Sequence, residues 1–186
     1  MASSQVVTIR PNELVWTPGI LLGSVTTCHK SNSWIVRTTV AKCVSQRRFA
    51  AAYYGGIEEA KYQADLYHRT YCIQNRLHVN DFASVDCDCG RRIVVRLGGV
   101  DSTAYMIVEP EDWNILRLYR WCRGGVWGRQ RPQTKLRIPS EKYAKYETVT
   151  PQQLMRKFDS IPRLATSKPN LYVLEKGSTQ YTMDCS

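Results

Sequence analysis

The chain has 186 residues, 43% hydrophobic and 23% charged, enough for one compact domain or two small ones with buried cores. Its 26 Lys and Arg against 16 Asp and Glu leave a formal charge of +10, a surplus that favours polyanions, because each neutralised phosphate releases condensed counterions. No apolar run approaches the roughly 20 residues that cross a bilayer, and no basic helix with a broad apolar face argues for a membrane surface.

Residues 1–20 are expected to form an extended lead-in, with Pro11 and Pro18 breaking any helix. From Gly23 the pattern turns to β. Trp34, Val36 and Thr38 alternate with Ile35, Arg37 and Thr39, the period of two of a half-exposed strand. Arg47, Arg48 and Phe49 then lead through Tyr53-Tyr54-Gly55-Gly56 to a helix opening at Glu58-Glu59 and fading near Asn80-Asp81. The polar run Asp86-Cys87-Asp88-Cys89-Gly90 is taken as the junction between a module at 21–85 and a second at 86–159.

The second module restarts with a β-branched strand, Arg91 to Leu97, closed by Gly98-Gly99, and a further strand at Tyr105–Val108. Glu109-Pro110 opens a short helix in which Glu111 and Asp112 suit the positive end of the helix dipole, and Trp113 and Leu116 share one face. Gly124-Gly125 ends that helix or the turn after it, and Val126 to Arg129 is expected to return as a strand. Basic residues recur at Arg129, Arg131, Lys135, Arg137, Lys142 and Lys145, where Pro132 and Pro139 deny a continuous helix. Thr150-Pro151 is a helix start, with Thr150 as cap and a helix reaching Phe158. Residues 160–186 read as a polar tail with one strand at Leu171–Leu174. The whole is expected to be α+β: two small modules, each a short antiparallel sheet packed on one helix, followed by that tail.

Basic and aromatic side chains interleave on the first module, as nucleic-acid recognition requires. Trp34, Arg37, Lys42, Arg47 and Arg48 are assigned to nucleic acid, since an Arg can donate two parallel bonds to guanine while lysines and the remaining arginines fix register on phosphates. Arg91, Arg92, Arg96, Arg129 and Arg131 are assigned as phosphate contacts of the second module.

Trp34, Tyr54-Gly55, Glu58-Glu59-Ala60 and Asp65 resemble the motif of the plant ethylene-response-factor (APETALA-type) DNA-binding domain over about a third of the chain. That resemblance implies a three-stranded sheet on one helix that reads duplex DNA, with Trp34 and Arg37 facing bases, which leaves Lys42, Arg47 and Arg48 for the backbone; Ala64 stands where the family has Tyr. The second half, through Tyr105–Val108, Glu111-Asp112-Trp113, Leu116, Tyr119 and Trp121 and a return at 125–127, resembles the leader element of phage HNH homing endonucleases.

A nuclease of that class needs a His base and a metal-bound His or Asn. His68, Asn75 and Asn80 echo the pattern, but they fall on the helix rather than on a metal loop, so an absent or degenerate site is expected. Cys87-Asp88-Cys89 lacks the spacing of structural zinc pairs, and no phosphate-binding glycine loop or nucleophile elbow is present. No catalytic residue, cofactor or metal is assigned.

The seven cysteines follow no disulfide framework and the N-terminus has no secretory plan, so an intracellular protein of the nucleus or another DNA-containing compartment, organelles included, is expected. The partner expected is double-stranded DNA, with rRNA in a ribonucleoprotein such as an organellar ribosome as the alternative. The aromatic content leaves room for a protein partner.

Overall fold

The computed structural model describes residues 6–87, 90–125, 131–138, 145–158, 170–173 and 181–184. In chain order it begins with strands β1 (Val6–Ile9), β2 (Ile20–Leu21), β3 (Ser24–Cys28), β4 (Ser33–Val40) and β5 (Cys43–Ala50), a single turn α1 (Ala51–Tyr54) and the long helix α2 (Ile57–Gln74). Next come β6 (His78–Val79), β7 (Phe82–Cys87), β8 (Gly90–Arg96), β9 (Ala104–Val108) and α3 (Pro110–Leu116). The remainder is β10 (Cys122–Gly124), β11 (Arg131–Ile138), β12 (Lys145–Val149), α4 (Pro151–Phe158), β13 (Asn170–Val173) and β14 (Tyr181–Asp184). Small antiparallel sheets and separate helices make this an α+β protein. No helix among the described residues is long and apolar enough to cross a membrane.

The chain forms two compact units, Leu21–Val79 and a larger one made of Met1–Ile20 with Asn80–Ser186. This differs from the sequence expectation at three points. The expected junction instead falls within one sheet: β7 pairs antiparallel with β8, with Asp86 opposite Arg91 and Cys87 opposite Gly90. The lead-in at 1–20 belongs to the larger unit, where Ile9, Leu14 and Trp16 join a hydrophobic cluster with Val94, Tyr105 and Ile107. The expected tail supplies β13, paired with β9, and β14, paired with β1. The expected return strand at 126–129 lies outside the described residues.

In the Leu21–Val79 unit β3, β4 and β5 form an antiparallel meander. The β4–β5 turn is Ala41-Lys42, both at positive φ (47° and 69°), the pair of left-handed residues that a tight two-residue hairpin demands. One face of the sheet packs on α2 through Val36, Phe49, Ala60 and Ala64, with Val25, Trp34, Tyr54 and Tyr67 around them. Ala60 and Ala64 are fully buried, and these small side chains let the helix lie close to the sheet. At Gly23, with φ of 107°, a Cβ would meet the Arg37 carbonyl oxygen, so the chain enters β3 against the β4 backbone only with glycine. The helix stops at Gln74, six residues before the expected end: Arg76 turns left-handed at φ 55° and Leu77 N–H donates back to the Cys72 carbonyl at 2.7 Å.

In the larger unit the sheet β13–β9–β8–β7 is covered on both faces. Ile93, Val95, Ala104, Met106 and Val108 pack on Trp113 and Leu116 of α3 and Leu154 of α4. Val94, Tyr105 and Ile107 meet the N-terminal segment. Double coverage explains the unbroken apolar run Ile93-Val94-Val95 and the burial of all five residues of β9. Trp16 stacks on Tyr105 with ring centroids 5.8 Å apart, and its indole N–H donates to the Pro11 carbonyl at 3.0 Å. The start of α4 is a reciprocal cap. Gln153 N–H donates to Thr150 Oγ1 at 3.3 Å, and Thr150 N–H donates to Gln153 Oε1 at 2.8 Å.

Candidate nucleic-acid interface

The β3–β4–β5 sheet has one face on α2 and one open face, and period two decides which side chains lie on each. Trp34, Val36 and Thr38 point to the helix; Ile35, Arg37 and Thr39 point away. Register then sets Arg37 between Ser24 and Gln46, Ile35 between Thr26 and Arg48, and Thr39 opposite Val44. Thr26, Arg37, Thr39, Gln46 and Arg48 are all exposed, as is the apolar Val44, so the open face is mainly polar and cationic around the buried Ile35.

Arg37 Nε donates to Gln46 Oε1 at 3.0 Å. That bond steadies the guanidinium and leaves its two terminal nitrogens as a fork, the geometry that matches guanine O6 and N7. Lys42 is exposed at the β4–β5 turn. None of Arg37, Lys42, Arg47 and Arg48 has a carboxylate at ion-pair distance among the described residues. The sequence supplies the reason: no Asp or Glu occurs between Glu13 and Glu58, a span that holds five Lys and Arg. The acids of this unit are Glu58, Glu59 and Asp65, all on α2.

The sequence expectation puts Trp34 and Arg37 on one reading surface, but an odd spacing along a strand sends them to opposite faces. Trp34 is helix-packed, its indole N–H donating to the Ile57 carbonyl at 3.1 Å and Lys61 Nζ standing 5.7 Å from its ring centroid. Arg47 parts from Arg48 in the same way. It lies on the helix side, its guanidinium 4.5 Å from the Tyr67 ring centroid and 5.5 Å from that of Phe49. Of the five residues assigned to this module, the sheet brings Arg37 and Arg48 together on the open face.

The arginines assigned to the second module are spread more widely. Arg91 pairs with Asp86 at 3.0 Å, exposed, and Arg92 with Glu109 at 2.8 Å, partly buried. Arg96 is a structural cation: it faces the buried Asp81 at 3.5 Å, donates to the Val100 carbonyl at 2.7 Å and lies 4.2 Å from the Trp16 ring centroid. All three carry local countercharge, which weakens the phosphate role expected of them. Arg131 is exposed on β11, and Arg129 lies outside the described residues.

The three residues that echo a nuclease are each engaged in the fold. A His68 ring nitrogen is 3.0 Å from the Leu22 carbonyl oxygen, and Asn75 Nδ2 donates to the Tyr71 carbonyl at 2.8 Å. Asn80, buried, exchanges hydrogen bonds with the Trp121 backbone at 2.7 Å in both directions. A cavity of about 210 Å³ in the larger unit is lined by Pro18, Phe82, Trp113 and Arg117 among others, with no His, Cys or carboxylate in its wall.

No family model matches this chain, and neither does any curated protein or solved structure. The interface therefore stands on its own geometry.

Two thiols of this unit differ in chemistry. Cys28, at the edge of the open face, is held below the ordinary thiol range chiefly by a hydrogen bond from Ser31, with Arg48 adding a favourable charge. Burial pushes the Cys72 thiol up. A lowered pKa means thiolate at lower pH, so at pH 7 iodoacetamide should label Cys28 well before Cys72, and the contrast should narrow as pH rises and Cys28 saturates. Peptide mass spectrometry over a pH series checks this; equal labelling at pH 7 would contradict it.

Proposed function

We propose that this protein is a non-catalytic binder of double-stranded DNA and that the open face of β3–β4–β5 is its reading surface. The observation that carries the reading is the exposed Arg37–Gln46 pair beside Arg48, on a sheet whose stretch of chain contains no carboxylate. Arg37 reads guanine through its free fork and Gln46 offers an amide for a neighbouring base edge, while Arg48 and Lys42 hold phosphates and set register. The dimensions of sheet and groove agree, since two strand spacings make a ribbon about 10 Å across and the major groove is about 12 Å wide.

The strand–strand–strand–helix order of the unit, with Trp34 on β4 and Glu58-Glu59-Ala60 opening α2, agrees with what the ethylene-response-factor resemblance implies. The helix carries the unit's acids, and this charge separation turns the sheet rather than α2 toward a polyanion.

The test is a titration of the full chain with duplex DNA, single strands and structured RNA across a salt series, with and without magnesium. Duplex preference is expected, with log K falling by about 0.9 per log unit of salt for each phosphate contact and about two contacts in all, those of Arg48 and Lys42. Tighter binding of structured RNA would replace this reading with the ribonucleoprotein one, and magnesium-dependent cleavage would restore the nuclease.

A further inference from the structure

The sheet β10–β11–β12 carries a second open face that duplex reading by Arg37 and Arg48 leaves unused. Along β11 exposure alternates: Pro132 and Thr134 are buried and Leu136 packs on the core, while Arg131, Lys135 and Arg137 are exposed. Register sets Lys135 opposite Thr148 and Arg137 opposite Tyr146, so these four share one face. Tyr146 is 61% exposed, a large ring held out beside a cation. Glu147 sits opposite Leu136, on the other face. Gln133 lies on the same face between Arg131 and Lys135, with its amide against Gly124, where a Cβ would collide with it. Arg131, Lys135 and Arg137 have no carboxylate at ion-pair distance among the described residues.

We propose that this face binds single-stranded nucleic acid, with Arg131, Lys135 and Arg137 along the phosphates and Tyr146 stacked on an unpaired base. Side chains two apart on a strand are about 6.7 Å from each other, close to the step between phosphates of an extended strand. From Arg131 to Arg137 the row runs about 20 Å, room for about three nucleotides. An exposed ring between cations has no access to the stacked bases of a duplex, but it stacks on a splayed base of any identity. Binding is therefore tolerant of sequence, and DNA and RNA single strands share the chemistry it uses.

The experiment titrates the full chain with labelled oligo-dT and oligo-U of about twelve nucleotides, and separately with duplex DNA. Tyr146→Ala is expected to weaken single-strand binding about tenfold, with Tyr146→Phe holding near the parent. Lys135→Ala and Arg137→Ala should each lower the single-strand salt slope by about 0.7. None of these exposed positions should change the melting temperature or duplex affinity, whereas the Arg37→Ala/Arg48→Ala double variant should weaken duplex alone. Either oligonucleotide binding in this pattern supports the site, and the tighter one names its source. No single-strand binding, Tyr146→Ala binding like the parent, or Tyr146→Phe as weak as Ala would overturn it. Failure of duplex binding with this pattern intact would remove only the duplex reading.

Discussion

Replacing Asn80 by Ala should destabilise the larger unit by about 3 to 5 kcal/mol, a large effect for a polar substitution. Asn80 is 1% exposed and acts as a piece of backbone. Its Nδ2 donates to the Trp121 carbonyl at 2.7 Å and the Arg96 carbonyl at 3.1 Å, and its Oδ1 accepts Trp121 N–H at 2.7 Å. Truncation leaves three backbone groups without that partner, the two of Trp121 buried. It also puts Ala at φ 57°, a conformation costing roughly 1 kcal/mol for a residue with a plain Cβ.

Trp121 ties the loss to the core, because it is 1% exposed in the same cluster as Trp113 and Leu116 and its indole N–H donates to the Leu116 carbonyl at 2.7 Å. Thermal unfolding followed by tryptophan fluorescence should show a fall of about 10 °C. Asn80→Gly, which tolerates the positive φ, should recover the backbone part alone, about 1 kcal/mol. A fall of only a degree or two for Asn80→Ala would show that the bracket to Trp121 is not what holds this unit together.

The second large effect concerns binding. Arg37→Ala/Arg48→Ala should reduce duplex affinity by about 30-fold to 1,000-fold, equivalent to about 2 to 4 kcal/mol. The single variants should part ways. Arg37→Ala removes the fork that Gln46 steadies and relaxes sequence preference, whereas Arg48→Ala weakens all duplexes alike and lowers the salt slope by about 0.9. Arg47→Ala, from the neighbouring position, should act mainly on stability, by roughly 1 kcal/mol through the lost contact with the Tyr67 ring. Competition binding against randomised duplexes separates these outcomes. An Arg47→Ala variant with the largest loss of affinity would place the interface on the helix side of the sheet.

Much of the local structure is readable in the chain because it follows from short-range rules. The alternation from Trp34 to Thr39, the Glu58-Glu59 helix opening, the Thr150-Pro151 cap and the strand near Leu171 each rest on a few adjacent residues, and each has a counterpart in β4, α2, α4 and β13. What escapes such rules is long-range. Asp86 to Gly90 has the polar composition of a junction, but only the pairing of Phe82 with Val95 and its successors shows that the residues on either side belong to one sheet. The lead-in looks extended either way; its role appears when Ile9 and Trp16 are found against Tyr105.

At the candidate interface the charge is legible in the chain, but its direction only in part. The same period of two that identifies β4 separates Trp34 from Arg37, and β5 separates Arg47 from Arg48. Gln46 carries no charge to draw notice, although register with Arg37 makes it a neighbour. Arg96 misleads because a cation in a sequence shows nothing of Asp81, whose pairing with it depends on the fold.

The central claim is that the open face of β3–β4–β5 meets duplex DNA, and backbone and side-chain nuclear magnetic resonance of the full chain during a duplex titration tests it most directly. The Nε–H signals of Arg37 and Arg48 and the Gln46 side-chain amide are expected to shift first and furthest, with Ala60, Ala64 and the rest of α2 little changed. Shifts led by α2, or none on Arg37, Gln46 and Arg48 at saturating duplex, would contradict it.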